Sequence, residues 1–244
     1  MTEDIRLNSS KLGTQEYWNN FYKKEQSNFQ DNDEDTGECW FDDSDAESKM
    51  IQFLIDKLND GELPVTETPH IRMLDLGTGN GHLLFQLSQD LSEEYEGDSE
   101  FQFIGIDYSP DSVEFAKDIA GKKYGDVNFE FEQVDLLQKE APFLKNKFDI
   151  LLDKGTLDAI ALNQDPLQEF DGEIGMDVYA RQVEQLMNKG SILLITSCNF
   201  TETELVKIIT TGTNLQVWDK INYPSFQFGG VKGSTVCSIA FIKD

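Results

Sequence analysis

Positive charge is scarce in this chain. Against 46 Asp and Glu stand 20 Lys and Arg, a formal net charge of -26 over 244 residues. Such a surface repels nucleic acid phosphates and anionic membranes, so neither is expected as a partner, whereas a basic protein is drawn to it. Histidine is nearly missing: only His70 and His82 occur. A histidine-rich metal centre is excluded by that count, no metal is expected, and His82 reads as a first-turn helix residue. Cys39, Cys198 and Cys237 are odd in number and scattered, which suggests neither a disulfide framework nor a zinc site and fits a reducing, cytoplasmic setting. No apolar run approaches the length that spans a bilayer, and Met1 to Asn8 is polar and charged, unlike a secretory leader. A chain of this size can bury one large core, so a single soluble domain acting as a monomer is expected.

The most informative segment is Met73-Leu74-Asp75-Leu76-Gly77-Thr78-Gly79-Asn80-Gly81. An apolar strand, Ile71 to Leu76, runs into three glycines at alternate positions, the composition of a sharp turn that lets a ligand approach the backbone. The acid decides which ligand. A phosphate would be repelled by Asp75 across a desolvated gap, whereas a cation would be held. S-adenosylmethionine carries an ammonium and a sulfonium and no phosphate, and it is the expected cofactor.

Two further strands end in acids. Phe101 to Ile106 leads to Asp107-Tyr108-Ser109-Pro110, where the carboxylate can accept hydrogen bonds from ribose hydroxyls and Ser109-Pro110 opens a helix. Val127 to Val134 leads to Asp135, placed to meet an adenine amino group with Leu136 and Leu137 against the ring. The fourth strand, Phe148 to Leu152, runs into Asp153-Lys154-Gly155-Thr156. Ligands of open α/β sheets sit outside the carboxyl ends of the strands, so this segment lies where a transferable methyl group points, unless it is an ordinary strand-end turn. Asp153, Lys154 and Thr156 are the catalytic candidates.

Thr14 to Lys24 reads as a helix with Tyr17, Trp18, Phe21 and Tyr22 on one face, either packed on the core or capping the cofactor pocket. From Asp31 to Glu47 there are nine acids and no Lys or Arg, interrupted by Cys39-Trp40-Phe41. Rings seek burial, so these three residues are expected to anchor the acidic loop back over the cleft. Ser44-Asp45-Ala46-Glu47 matches a capping box before a helix carrying Met50, Phe53, Leu54 and Leu58. Later come a helix through Met176 to Met187 stopped by Gly190, a strand Ser191 to Ser197, a capped helix Thr201 to Thr210, and closing strands Leu215 to Ile221 and Val236 to Ile242. Between the last two, Tyr223 to Gly230 either borders the substrate entrance with Phe226 and Phe228 or forms a plain hairpin.

Together the Asp-x-Gly-x-Gly-x-Gly turn, the Gly105-Ile106-Asp107-Tyr108-Ser109 step and the terminal strands resemble the seven-stranded S-adenosylmethionine-dependent methyltransferases. Leu12-Gly13-Thr14-x-x-Tyr17-Trp18, Asp35-Thr36-Gly37-Glu38-x-Trp40-Phe41, Asp153-Lys154-Gly155-Thr156, Thr196-Ser197-Cys198-Asn199 and Phe226-x-Phe228-Gly229-Gly230 resemble, more narrowly, the elongation factor 1-alpha lysine methyltransferases. The resemblance implies a Rossmann-like doubly wound sheet of seven strands, mostly parallel with an antiparallel last strand, and an N-terminal helical extension. Residues 1–48 would cap the cleft and residues 49–244 would form the methyltransferase domain. It implies methylation of a lysine ε-amine on translation elongation factor 1-alpha in the cytosol. Asp75, Gly77, Thr78, Gly79, Gly81, Asp107, Tyr108, Ser109, Asp135 and Leu136 stand at cofactor-contact positions, with Trp18, Trp40 and Asp153 added as expected contacts. Phe226, Phe228 and Asn199 are expected at the substrate. The Asn-Pro-Pro-Tyr run that follows the fourth strand in many amino methyltransferases is absent, and Asp153 is expected to hold the lysine ammonium instead. The alternatives are a methyltransferase of the same fold acting on another protein or a small amine, a nucleotide-dependent dehydrogenase and a non-catalytic binding module.

Overall fold

The computed structural model describes residues 5–64, 69–224, 226–228, 231–233 and 235–244, with backbone alone for 226–228 and 231–233. Seven strands form one sheet: β1 (His70–Leu76), β2 (Glu100–Asp107), β3 (Phe129–Gln133), β4 (Phe148–Lys154), β5 (Met187–Ser197), β6 (Leu215–Ile221) and, after the short β7 (Phe226–Phe228) and β8 (Val231–Gly233), β9 (Cys237–Lys243). Their order is β3-β2-β1-β4-β5-β9-β6. β9 is antiparallel to both neighbours, and the remaining pairs are parallel. The strand order reverses between β1 and β4, which is where an open sheet makes its ligand crevice.

Strand periodicity divides the core into two layers. On β1, Leu74 and Leu76 face one layer and Ile71 and Met73 the other; on β5, Leu193 and Ile195 oppose Ile192 and Leu194 in the same way. The first layer is completed by α5 (Thr156–Ala161), α6 (Gly175–Gln185) and α7 (Glu202–Thr210). The second takes α1 (Gln15–Asp31), α2 (Ala46–Asn59), α3 (His82–Glu94) and α4 (Pro110–Lys123). The N-terminal segment joins them: Ile5 is buried in the first layer, whereas Tyr22 and Phe29 of α1 are buried in the second.

Several local expectations change. The first helix runs on to Asp31, because Phe29 buries against Phe115 of α4 and the acids just beyond its end pair with that helix, Asp33 with Lys122 and Glu34 with Lys123. β3 is shorter than Val127 to Val134, since the Val127 N–H closes a turn on the Tyr124 carbonyl. Gly190 does not stop a helix. It lies inside β5 with φ +86°, and α6 has already ended at Gln185. The Ser44 capping box is not made: Asp45 precedes α2 in a left-handed conformation without a side-chain cap, and Glu47 turns to His82 and Lys154 instead. The Thr201–Glu204 box forms reciprocally. Between β6 and β9 the chain makes an antiparallel β7–β8 pair, and the Phe226 and Phe228 side chains lie outside the described residues. Among the described residues no helix is long and apolar enough to cross a membrane. Losing the Thr201 cap in Thr201→Ala should cost about 1 kcal/mol, measured by urea denaturation monitored by circular dichroism.

Candidate active site

At the carboxyl ends of β1, β2, β4 and β5 lies a cavity of about 350 Å³. Its floor is the glycine turn, held by its neighbours. The Thr78 N–H donates to the Ile106 carbonyl at 2.9 Å, the Gly79 N–H to Asp107 Oδ2 at 3.1 Å, and Thr156 Oγ1 to the Leu76 carbonyl at 2.5 Å. Gly77 and Gly79 have φ of +66° and +58°, and a Cβ there would stand 2.2 Å from Thr156 Oγ1 and 2.5 Å from the Tyr22 hydroxyl. Side chains are therefore barred twice, by backbone conformation and by space. Gly81 and Ser109 do not reach the cavity. Gly81 packs under Phe85 and Phe131 before α3, and fully buried Ser109 caps α4 by accepting the Ser112 N–H.

Asp75, Asp107 and Asp135 all line the cavity, as do Thr78, Tyr108 and Leu136. Asp75 is 3 % exposed, and burial pushes its carboxyl up to about 7. Burial also raises Asp107, while the Ser109 and Gly79 N–H groups act in the opposite direction. Those two donors fix the Asp107 carboxylate and leave lone pairs free for a ligand. Asp135 is exposed at the rim and accepts the Leu137 N–H.

The roof comes from the N-terminal arm and the acidic loop. Trp18 donates its indole N–H to the Leu12 carbonyl at 2.7 Å, stacks with Tyr22 and meets Trp40 edge-on at 5.4 Å. The loop is pinned by side chains from beneath. Asn80 donates to the Thr36 and Glu38 carbonyls, Glu25 accepts the Glu38 N–H, and Lys154 donates to the Trp40 carbonyl at 2.8 Å. Glu47 stands 3.4 Å from Lys154 Nζ and 2.5 Å from His82 Nδ1. Burial opposes ionisation of Glu47, yet its two cationic neighbours hold its pKa below the ordinary value. His82 is raised to about 10 by the Cys39 thiol and the Glu47 carboxylate beside it. Trp40, Phe41 and Trp18 all line the cavity.

The β4 end departs from expectation at one residue. Asp153 is 0 % exposed and does not line the cavity. Its carboxylate accepts the Tyr179 hydroxyl and the N–H groups of Thr156 and Leu157, so it ties α5 to α6 from inside the core. Burial pushes its carboxyl up to about 7 although these donors favour the charge. Lys154 and Thr156 do face the cavity, and so does Asn199. Two acids reach it from this side, exposed Asp165 beyond α5 and buried Asp158 in the first turn of α5. Asp158 is the one held in place by hydrogen bonds. Its oxygens accept from Ser197 Oγ at 2.5 Å and the Cys198 N–H at 2.8 Å, and burial raises its pKa. Asp158 sits two residues beyond the four-residue segment that drew attention in the sequence. Tyr22, Glu38, Phe41, Asn80 and His82 also line the cavity; the first four lie in segments that the sequence singled out without a role for each, and His82 read only as a first-turn helix residue.

A methyltransferase-domain family model matches residues 67–230. Protein-lysine N-methyltransferase EFM4 of Saccharomyces cerevisiae is 49% identical over 238 residues, covering 97% of this chain and 96% of that one. The chain belongs to this methyltransferase family. EEF1A lysine methyltransferase 2 of Homo sapiens is 32% identical over 237 residues, covering 96% of this chain and 87% of the human one. Among solved structures, magnesium protoporphyrin IX methyltransferase from Synechocystis PCC 6803 with bound SAM superposes with a TM-score of 0.52 at 16% identity, covering 91% of this chain and 97% of that one. An S-adenosylmethionine-dependent methyltransferase from Clostridium acetobutylicum gives 0.55 at 12% identity, covering 80% and 91%. At those identities the likeness speaks for the fold. Family membership sets aside the dehydrogenase alternative. In this family member Asp153→Ala would leave two N–H groups and a tyrosine hydroxyl unpaired in the core, and should cost about 3 kcal/mol, measured by urea denaturation. A loss under about 1 kcal/mol would contradict the structural role assigned to Asp153.

Proposed function

We propose that this protein transfers a methyl group from S-adenosylmethionine to a lysine side chain of translation elongation factor 1-alpha. The 49% identity to protein-lysine N-methyltransferase EFM4 over 97% of the chain carries the lysine methylation, and the name EEF1A lysine methyltransferase 2, borne by a relative 32% identical over 96% of the chain, supports the substrate.

The cavity fits the cofactor. Its glycine turn offers bare backbone, and its acids outnumber its cations, with Lys154 already engaged by Glu47 and the Trp40 carbonyl. A buried polar atom on its wall, Trp40 Nε1, has no hydrogen-bond partner among the described residues, and such an atom normally finds one. Asp75 would balance the ammonium, Asp107 would take the ribose hydroxyls, and Asp135 with Leu136 would meet the adenine. When bound, S-adenosylmethionine supplies an electrophilic methyl group on a sulfonium.

The protein's share of the reaction is alignment and dryness. Trp18, Trp40 and Phe41 keep water from the cavity. Asp158 takes the role that the sequence assigned to Asp153: held rigid by Ser197 and Cys198, its carboxylate receives the lysine ammonium and aims it. A lysine with its ordinary pKa of about 10.4 is almost wholly protonated near neutrality, and a desolvated site favours the neutral amine. The proton leaves to solvent before attack, and Thr156 and Asn199 border the amine. The acidic surface, with residues 31–47 at its most charged, steers a basic protein to the site; the chain acts as a monomer in the cytosol, with residues 1–48 as the cap.

Incubation of the pure protein with elongation factor 1-alpha and labelled S-adenosylmethionine should label one or more lysines, read by mass spectrometry. Asp158→Asn should lower kcat/KM on the order of 100-fold, with donor affinity unchanged by calorimetry. Equal turnover in the variant would remove Asp158 from the mechanism. The value of kcat/KM should also fall with added salt while kcat holds, because screening weakens steering.

Donor binding should depend on pH through Asp75. Burial raises this acid in the free protein, so part of it is protonated below pH 7, and a bound cation draws it back to the carboxylate. Affinity should therefore rise about fivefold from pH 6 to pH 7, with proton release. Asp75→Asn should bind more weakly and flatten the profile.

A further inference from the structure

Outside the reaction path, three metal-ligating side chains of different chemistry converge on one point. Cys39 comes from the acidic loop, Glu47 from the first turn of α2 and His82 from the first position of α3. A sulfur, a carboxylate oxygen and a ring nitrogen from these residues all lie within 4.8 Å of one another. We propose that Cys39, Glu47 and His82 form a Zn²⁺ site that fastens the acidic loop to the glycine turn.

Geometry and donor set both favour zinc. With Zn–S near about 2.3 Å and Zn–O near about 2.0 Å, a tetrahedral S–O edge is about 3.5 Å, and Cys39 Sγ stands 3.6 Å from Glu47 Oε2. His82 Nδ1 stands 2.5 Å from the other oxygen of the same carboxylate, Glu47 Oε1, in a hydrogen bond whose proton the metal replaces. Thiolate, imidazole and a single carboxylate suit a borderline-soft ion. Hard cations such as Mg²⁺ and Ca²⁺ need several oxygens and find one acid. Three protein ligands leave the fourth position to water. Lys154 opposes the metal, since its ammonium stands 3.4 Å from Glu47; it keeps its bond to the Trp40 carbonyl when the carboxylate turns to the ion.

The consequence is mechanical. Trp40 follows Cys39 directly, and His82 follows Gly81, so a metal at this point joins the roof of the cavity to its floor. Bound zinc would hold the roof down and slow exchange of anything beneath it.

Chelator-stripped protein is titrated with Co²⁺ as a spectroscopic probe and then with Zn²⁺. The expected result is one ion per chain, intense tetrahedral Co²⁺ absorption with a thiolate charge-transfer band, displacement by Zn²⁺, and a raised Tm. Cys39→Ser should abolish the thiolate band, and it and His82→Gln should weaken Zn²⁺ binding about tenfold or more, with folding checked by circular dichroism. Cys198→Ser, at the exposed thiol, should retain the full signal. Lys154→Met should bind Zn²⁺ more tightly, since a competing charge is gone. Absence of stoichiometric binding, binding unchanged in Cys39→Ser, or loss of the signal in Cys198→Ser would each overturn the proposal.

Discussion

The site depends on the lacing together of three adjacent strand ends. Asp107, at the tip of β2, grips the Gly79 N–H of the turn after β1, while Thr156, just past β4, donates to the last carbonyl of β1. Neither contact requires a ligand, so the glycine turn is shaped before anything binds. Preformed, buried acceptors are what a cationic ligand exploits, since the cost of desolvating the carboxylates is met in the folded chain. The raised carboxyl of Asp75 is the visible sign of that cost.

Above this floor, the middle of a loop dense in like charge is held down largely through its backbone. Asn80 and Lys154 donate to loop carbonyls, and Glu25 accepts a loop N–H. Attachment through the backbone leaves the loop's own acids, such as Asp35, Asp42 and Asp43, pointing outward and exposed. The same segment thereby serves two ends: aromatic rings line the cavity and negative charge faces an approaching protein.

The glycine turn, the acids at the strand tips and the alternation of apolar residues along β1 and β5 were legible in the sequence because each is a local pattern with one physical meaning. The rings of Trp18 and Trp40 were legible because rings do not stay in water within an acidic loop. What escaped depended on direction. Asp153 near the end of β4 and Asp158 in α5 are acids five residues apart, and nothing in their spacing says that the first turns into the core toward Tyr179 while the second faces the cavity. Glu47 matched a capping box, but His82 and Lys154, both distant in sequence, offered it opposite charge in a half-dry site and won. Gly190 read as a helix stop because a left-handed glycine serves equally well within an irregular strand.

Residues 5–31 cross the carboxyl end of the sheet from one apolar layer to the other. Ile5 is sunk beside α6, where Arg6 makes a paired contact with Asp177, and Phe29 is sunk beside α4. For protein engineering this leaves no harmless place to shorten the chain from Ile5 onward. A cut before Thr14 uncovers one hydrophobic layer, and a cut after Asp31 uncovers both and unroofs the pocket, so fusion partners and affinity handles belong at the Asp244 end.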